Sequence, residues 1–155
     1  MMSEVYLRVR YSETDQMGVV YYANYFVWME VGRTDLIRKS GLTYKEIEEK
    51  GFLLPVSYTS AKFLAPVYYD DIVLVQSVLL GVGKASLSVG YRIFRVDDNS
   101  NTRELACIGV SELVFLNKNR KVVRVPDFFK NSVKVHESEE YREVVKFIRK
   151  NLSYF

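Results

Sequence analysis

One histidine and one cysteine are all that the chain offers for the chemistry those residues usually carry. A Ser-His-Asp or Cys-His arrangement would have to recruit His136, which lies in a polar stretch ahead of the last predicted helix. A zinc site drawing on several His or Cys ligands has too few to use. Cys107 has no second cysteine to pair with, so an intrachain disulfide is excluded and a reducing cytoplasm is the expected setting. Within the apolar run Leu105–Ile108 it reads as a small core residue rather than a nucleophile. The glycines of GVGKAS (81–86) lack the spacing of a phosphate loop and suit a hairpin turn better. Flavin and nicotinamide fingerprints are absent too, so no cofactor is expected. The longest uncharged run, Gln16–Met29, has fourteen residues; a bilayer span needs about twenty. Met1–Glu4 leads straight into alternating, strand-like sequence, so no targeting segment is expected. The net charge of +3 favours anionic over cationic ligands but falls short of the basic stripe of a nucleic-acid binder.

What is present suits one globular domain over residues 1–155. The 48% apolar and 26% charged content is ordinary for a chain with a real core. Twelve Tyr and nine Phe supply large contact areas, in a core or a subunit interface.

Val5–Tyr11 alternates apolar and charged residues, the pattern of a half-buried strand. Ser12–Gly18 is a polar turn. A long helix is predicted from there to about Ser40, with Tyr22, Tyr25, Phe26, Met29, Leu36 and Ile37 at helical spacing. Val27, Trp28 and Val31 make the opposite face apolar as well, so this helix is expected to be buried nearly all round. Gly41 stops it, with Arg38 and Lys39 at the negative end of the dipole. Thr43 and Glu46 form a capping box for a short helix that Gly51 closes.

Leu54–Leu64, Ile72–Leu80, Ala85–Val96 and Arg103–Leu116 are predicted strands rich in Val, Leu, Ile, Tyr and Phe. The last two connections are short enough for antiparallel hairpins. Ile72–Leu80 is apolar on both faces, as in a central strand. After the turn 117–121 come a short extended segment (Val122–Val125), a brief helix near Asp127–Asn131 and a helix over Glu137–Lys150. Five strands curled around one helix would explain that helix's apolar character: the class is α+β.

Carboxylate chemistry remains. Asp15 and Gly18 precede the helix, whose first turn offers unpaired N–H groups and a partial positive charge. Such donors can hold the oxygen of a polarised carbonyl while a nearby carboxylate attacks its carbon or activates water. The amides around Tyr21–Ala23 are the candidates. The same residues also compose an ordinary turn and helix cap.

The segment YSETDQMGVVYYANYFVWMEVGRT (11–34) resembles the signature of hotdog-fold acyl-CoA thioesterases. It is most similar to the branch holding 4-hydroxybenzoyl-CoA thioesterase and the Tol-Pal-associated short-chain enzymes. AKFLAPVYYDDIVLV (61–75) and RKVVRVPDFF (120–129) resemble later segments of the same family. The resemblance implies a five-stranded antiparallel sheet around a central helix and a homodimer or homotetramer with sites between subunits. It also implies an acyl-CoA substrate with a small aromatic or short- to medium-chain acyl group lying in an apolar tunnel. Asp15 would be the catalytic carboxylate, and the backbone N–H of Tyr22 would polarise the thioester carbonyl. Many Tol-associated members have histidine where this chain has Tyr22.

Around that pair, Gly18, Asn24, Lys62 and Lys84 are candidates for substrate contact, the lysines through coenzyme A phosphates. Each also has a plain structural or surface reading. Glu13 is expected to be a solvated turn residue, and Glu30 a buried carboxylate with a structural partner. A dehydratase-type lyase and a non-catalytic acyl-CoA or protein-interaction module are the alternatives. Hotdog dehydratases rely on a histidine that the matching segment lacks.

Overall fold

A computed structural model describes residues 1–152, without the side chains of 148, 149, 151 and 152. The elements run β1 (Met2–Arg8), a single 3-10 turn (Tyr11–Glu13), α1 (Ala23–Lys39), α2 (Tyr44–Glu49), β2 (Phe52–Leu53), β3 (Val56–Phe63) and β4 (Ile72–Val82). They continue with β5 (Ser86–Asp97), β6 (Thr102–Val114), β7 (Leu116–Asn117), α3 (Asp127–Lys130) and α4 (Glu139–Leu152). Five strands form one antiparallel sheet in the order β1-β4-β5-β6-β3, and β2 pairs with β7 apart from it. This is the five-stranded antiparallel sheet around a central helix that the resemblance to hotdog-fold enzymes implies.

Period-two alternation decides which face each strand residue serves. Val75 and Ser77 on β4 and Gly109 on β6 lie against α1, where Gly32 and Met29 approach them. Leu87, Val89, Tyr91 and Ile93, odd-numbered residues of β5 ahead of its bulge at Ile93/Phe94, are all buried. The even-numbered Val78, Leu80 and Ile108 face the other way and pack with Tyr141 and Val144 of α4. β4 is thus covered on both faces, as the apolar residues on both faces of Ile72–Leu80 suggest.

Three expectations need correction. The long helix does not start at Gly18: Val19 and Val20 stay extended, bridging Tyr68 and Thr14, and regular helix begins at Ala23. The hairpin closing on Gly18 claims these residues first, because Asp15 N–H donates to Val19 O at 2.9 Å and Gly18 N–H to Asp15 O at 3.0 Å. Gly18 has a φ of 81°, a conformation that glycine adopts without steric cost. Nor is α1 buried all round. Tyr25, Trp28, Met29, Gly32, Leu36 and Ile37 are buried, while Val27 and Val31 are 47% and 36% exposed. Third, Glu30 lies on that exposed flank instead of in the core.

Gly32 sets how closely α1 sits on the sheet. A Cβ there would collide with the Ser77 hydroxyl and lie 2.9 Å from Val75 Cγ1. Alanine would improve helix propensity by about 1 kcal/mol, but the overpacking costs typically 1–3 kcal/mol. Gly32→Ala is therefore expected to lower stability by about 1 kcal/mol, read as a lower urea midpoint at unchanged slope.

Candidate active site

Two short segments fold toward each other at the start of α1. The hairpin of residues 14–20 carries Asp15. Val20 N–H donates to Val67 O at 2.8 Å, which ties the hairpin to the chain leaving β3. Between them lies an open, mainly apolar cleft of about 380 Å³. Asp15, Met17 and Val20 line one side, Phe63–Pro66 the other, and Tyr22 and Tyr25 the helix end. The Phe63 ring stands 5.1 Å from that of Tyr25 and 6.2 Å from that of Tyr22.

Asp15 is half-buried. Its Oδ1 accepts the Met17 N–H at 2.8 Å, which orients the carboxyl from within its own turn. Oδ2 has no hydrogen-bond partner among the described residues, leaving an oxygen open to a ligand. At the helix start, Asn24 N–H donates to Tyr21 O and Tyr25 N–H to Tyr22 O. The Tyr22 N–H has no acceptor among the described residues, as the first turn of a helix dictates.

Glu13 departs from its sequence reading. It is 4% exposed, not solvated. Oε2 accepts the Trp28 indole N–H at 2.8 Å, and Oε1 accepts the Arg10 N–H at 2.8 Å and Arg10 Nε–H at 3.3 Å. Its carbonyl accepts the Tyr21 N–H and Asn24 Nδ2–H, both at 2.9 Å. Glu13 therefore joins the Asp15 hairpin to the first two turns of α1. Burial works against its charge, but the Arg10 N–H, the Trp28 indole and the Arg10 guanidinium more than offset this and hold its pKa below the ordinary value. The available signal was Trp28: a buried indole N–H needs an acceptor.

Asn24 is engaged with the Glu13 carbonyl and does not line the cleft. Gly18 shapes the hairpin and is exposed beside it. Lys62 is exposed on β3 next to Phe63, and Lys84 sits in the β4–β5 turn at the far end of the sheet, so neither lines the cleft. The structure brings together Asp15 and Tyr22 from the six candidates. Cys107 is buried, which pushes its thiol up to about 12 and keeps it protonated. His136 lies on the α4 side of the sheet, with its ring 5.7 Å from that of Tyr141 and its N–H bonded to Leu79 O.

Residues 9–133 match the model of the thioesterase-like superfamily. The chain belongs to this superfamily. A Bacillus subtilis protein named a putative acyl-CoA thioesterase, YneP, is 42% identical over 93 residues, 60% of this chain and 67% of its own. The crystal structure of a DHNA-CoA thioesterase from Staphylococcus aureus superposes with a TM-score of 0.75 at 28% identity, covering 97% of this chain and 94% of that one. The 4-hydroxybenzoyl CoA thioesterase of Pseudomonas sp. strain CBS-3 gives a TM-score of 0.77 at 20% identity over 85% and 99% of the two chains, a likeness of fold.

Glu13→Gln keeps the size of the side chain but loses the charge that its three donors address. Its expected cost is about 1–3 kcal/mol, measured by urea unfolding at pH 7. Because the pKa of Glu13 is depressed on folding, its contribution is present above the unfolded-state value and is lost as pH falls through the folded one. The gap between wild type and Glu13→Gln is therefore expected to shrink below about pH 4.

Proposed function

We propose that this protein hydrolyses the thioester of a small aromatic or short- to medium-chain acyl-CoA, with Asp15 as the catalytic carboxylate. The observation that carries the reading is one cleft holding a carboxylate with a free oxygen and the unpaired N–H end of α1. Superfamily membership and the acyl-CoA thioesterases among its relatives support the reaction class.

The Tyr22 amide would donate to the carbonyl oxygen and stabilise its negative charge as the carbon becomes tetrahedral. Asp15 then acts in one of two ways. As a nucleophile it forms a mixed anhydride and expels the coenzyme A thiolate, and water later cleaves the anhydride. As a general base it takes a proton from water, whose oxygen bonds the carbon directly. Both routes yield the free acid and the thiol. Single turnover in ¹⁸O-water with enzyme in excess separates them: an anhydride cleaved at the Asp15 carbonyl carbon leaves the label in Asp15 and releases unlabelled acid, whereas general-base attack labels the acid. A histidine-dependent lyase reaction is disfavoured by the place of His136 across the sheet.

The active form is a homodimer, alone or paired into a tetramer. β3 ends the sheet with one edge unpaired, and an exposed edge invites another strand. Val56 and Phe63 at its ends add exposed apolar surface at that edge. Antiparallel self-pairing of β3 covers both at once and is self-complementary, as a two-fold interface requires. No described helix is long and apolar enough to cross a membrane. The cytoplasm, where coenzyme A thioesters and reduced thiols coexist, suits the single buried cysteine.

Asp15→Asn is expected to lower kcat at least about a hundredfold with an unchanged thermal midpoint, as measured by thiol release from a panel of benzoyl-, hydroxybenzoyl-, short- and long-chain acyl-CoAs. Near-normal turnover of this variant would remove Asp15 from the mechanism. No hydrolysis by the wild type across that panel, with acyl-CoA binding intact, would favour the non-catalytic module. Tyr22→Phe preserves the backbone donor, so kcat/KM should change less than about threefold. Sedimentation equilibrium should give a mass at least twice the 18.1 kDa protomer; a monomer that retains activity would exclude the shared interface.

A further inference from the structure

On the other flank of α1, Glu30, Arg33, Thr34, Tyr44, Leu54 and Leu113 enclose a second cleft of about 280 Å³. Arg33 is its least expected member. It is partly withdrawn from solvent, and no carboxylate forms an ion pair with it among the described residues. Its close neighbours are phenols, Tyr44 and Tyr91. The Tyr91 hydroxyl is fully buried and makes no hydrogen bond of ordinary geometry. Burial raises the Tyr44 phenol to about 12, so it remains a neutral hydroxyl at physiological pH.

The two phenols hold the guanidinium's charge against its partial burial, yet they are neutral partners, and an anion entering the cleft would give Arg33 a charged one. Glu30 lines the same cleft one helical turn earlier, yet its carboxylate is exposed and not paired with Arg33. The arrangement leaves room for a carboxylate from outside, with the guanidinium as a two-pronged donor and Tyr44 as a further hydroxyl.

Topology places this cleft where an acyl group can reach it. Leu54, beside the start of β3, lines the Arg33 cleft, and Phe63 at its end lines the Asp15 cleft. Two β3 strands paired antiparallel set the Leu54 end of one against the Phe63 end of the other. The Arg33 cleft of one protomer then faces the Asp15 cleft of its partner. In the isolated protomer the two lie at opposite ends of the strand.

We propose that the Arg33 cleft receives the far end of the acyl group, and that Arg33 with Tyr44 selects acyl-CoAs bearing a carboxylate there. The proposal rests on the thioesterase and dimer readings above. The substrate class is then a dicarboxylic acid linked to coenzyme A through one of its two carboxyls. Hydrolysis returns the free diacid and the thiol.

Adipyl-CoA and hexanoyl-CoA share a six-carbon chain and differ in the terminal carboxylate. The wild type should favour adipyl-CoA by at least about tenfold in kcat/KM, the effect of one charge-assisted hydrogen-bonded pair. Arg33→Met should lower the adipyl-to-hexanoyl ratio at least tenfold, and Arg33→Lys should restore part of it. Tyr44→Phe, a milder change, should lower the ratio about threefold. Glu30→Gln removes a competing carboxylate and should raise it. Equal kcat/KM for the two substrates in the wild type would overturn the assignment while leaving the thioesterase reading intact. So would a ratio unmoved in a folded Arg33→Met or Tyr44→Phe protein, or a lower ratio in Glu30→Gln. Calorimetric titration of the wild-type dimer with adipate reads the cleft without turnover. Saturable binding that weakens in Tyr44→Phe is expected, and no binding sinks the proposal even if hydrolysis itself is absent.

Discussion

Much of the site depends on a single buried carboxylate that does not line the cleft. Glu13 collects an indole N–H, a backbone N–H and a guanidinium, while its own carbonyl takes two further donors from the start of α1. A hairpin of a few residues has little core of its own. Left to itself, it would sample many orientations relative to the helix, at an entropic cost of about 1–2 kcal/mol for each backbone residue fixed. The Glu13 contacts hold it against α1, and Asp15 stands two residues further on with its own turn bond to Met17. The Asp15 carboxyl can then stay partly open to solvent while its position is set from behind. That is the arrangement a preorganised site requires.

The same division appears in the sheet. α1 sits close over Val75, Ser77 and Gly109 because Gly32 lets it approach and Met29 reaches toward Gly109. On the opposite face, Tyr141 of α4 closes over Val78 and reaches Gln76 at 3.4 Å. Neither contact involves the cleft. The packed core lies on the two faces of the sheet, and the candidate site lies at one end of it, where connections between elements meet.

Much of the architecture was legible in the chain. The alternation of β5, the doubly apolar β4, the capping box at Thr43 and the turn at Gly18 are local signals, and each has its expected counterpart in three dimensions. Asp15 and Tyr22 were legible because a turn and the helix that follows it are neighbours in sequence. Glu13 was not. Its partner Trp28 lies fifteen residues away, and a carboxylate in a polar turn looks solvated until the tertiary contact is known. The apolar residues around α1 misled for a related reason. Val27 and Val31 stay exposed in the protomer, and an apolar residue at helical spacing does not by itself say which side of the helix meets the core. Arg33 gave no usable signal, because its phenolic neighbours come from α2 and β5.

The closeness of α1 to the sheet also limits where substrate can go. Side chains already fill the gap beneath the helix at Gly32 and Met29, so a bound chain has no passage through the middle of the protomer. A ligand seated in the Asp15 cleft would extend along the outside of the helix and not beneath it. With two copies paired along β3 as proposed, the greatest length of molecule accommodated would be a property of how they meet, and tailoring it would mean altering the seam between them and leaving the interior alone.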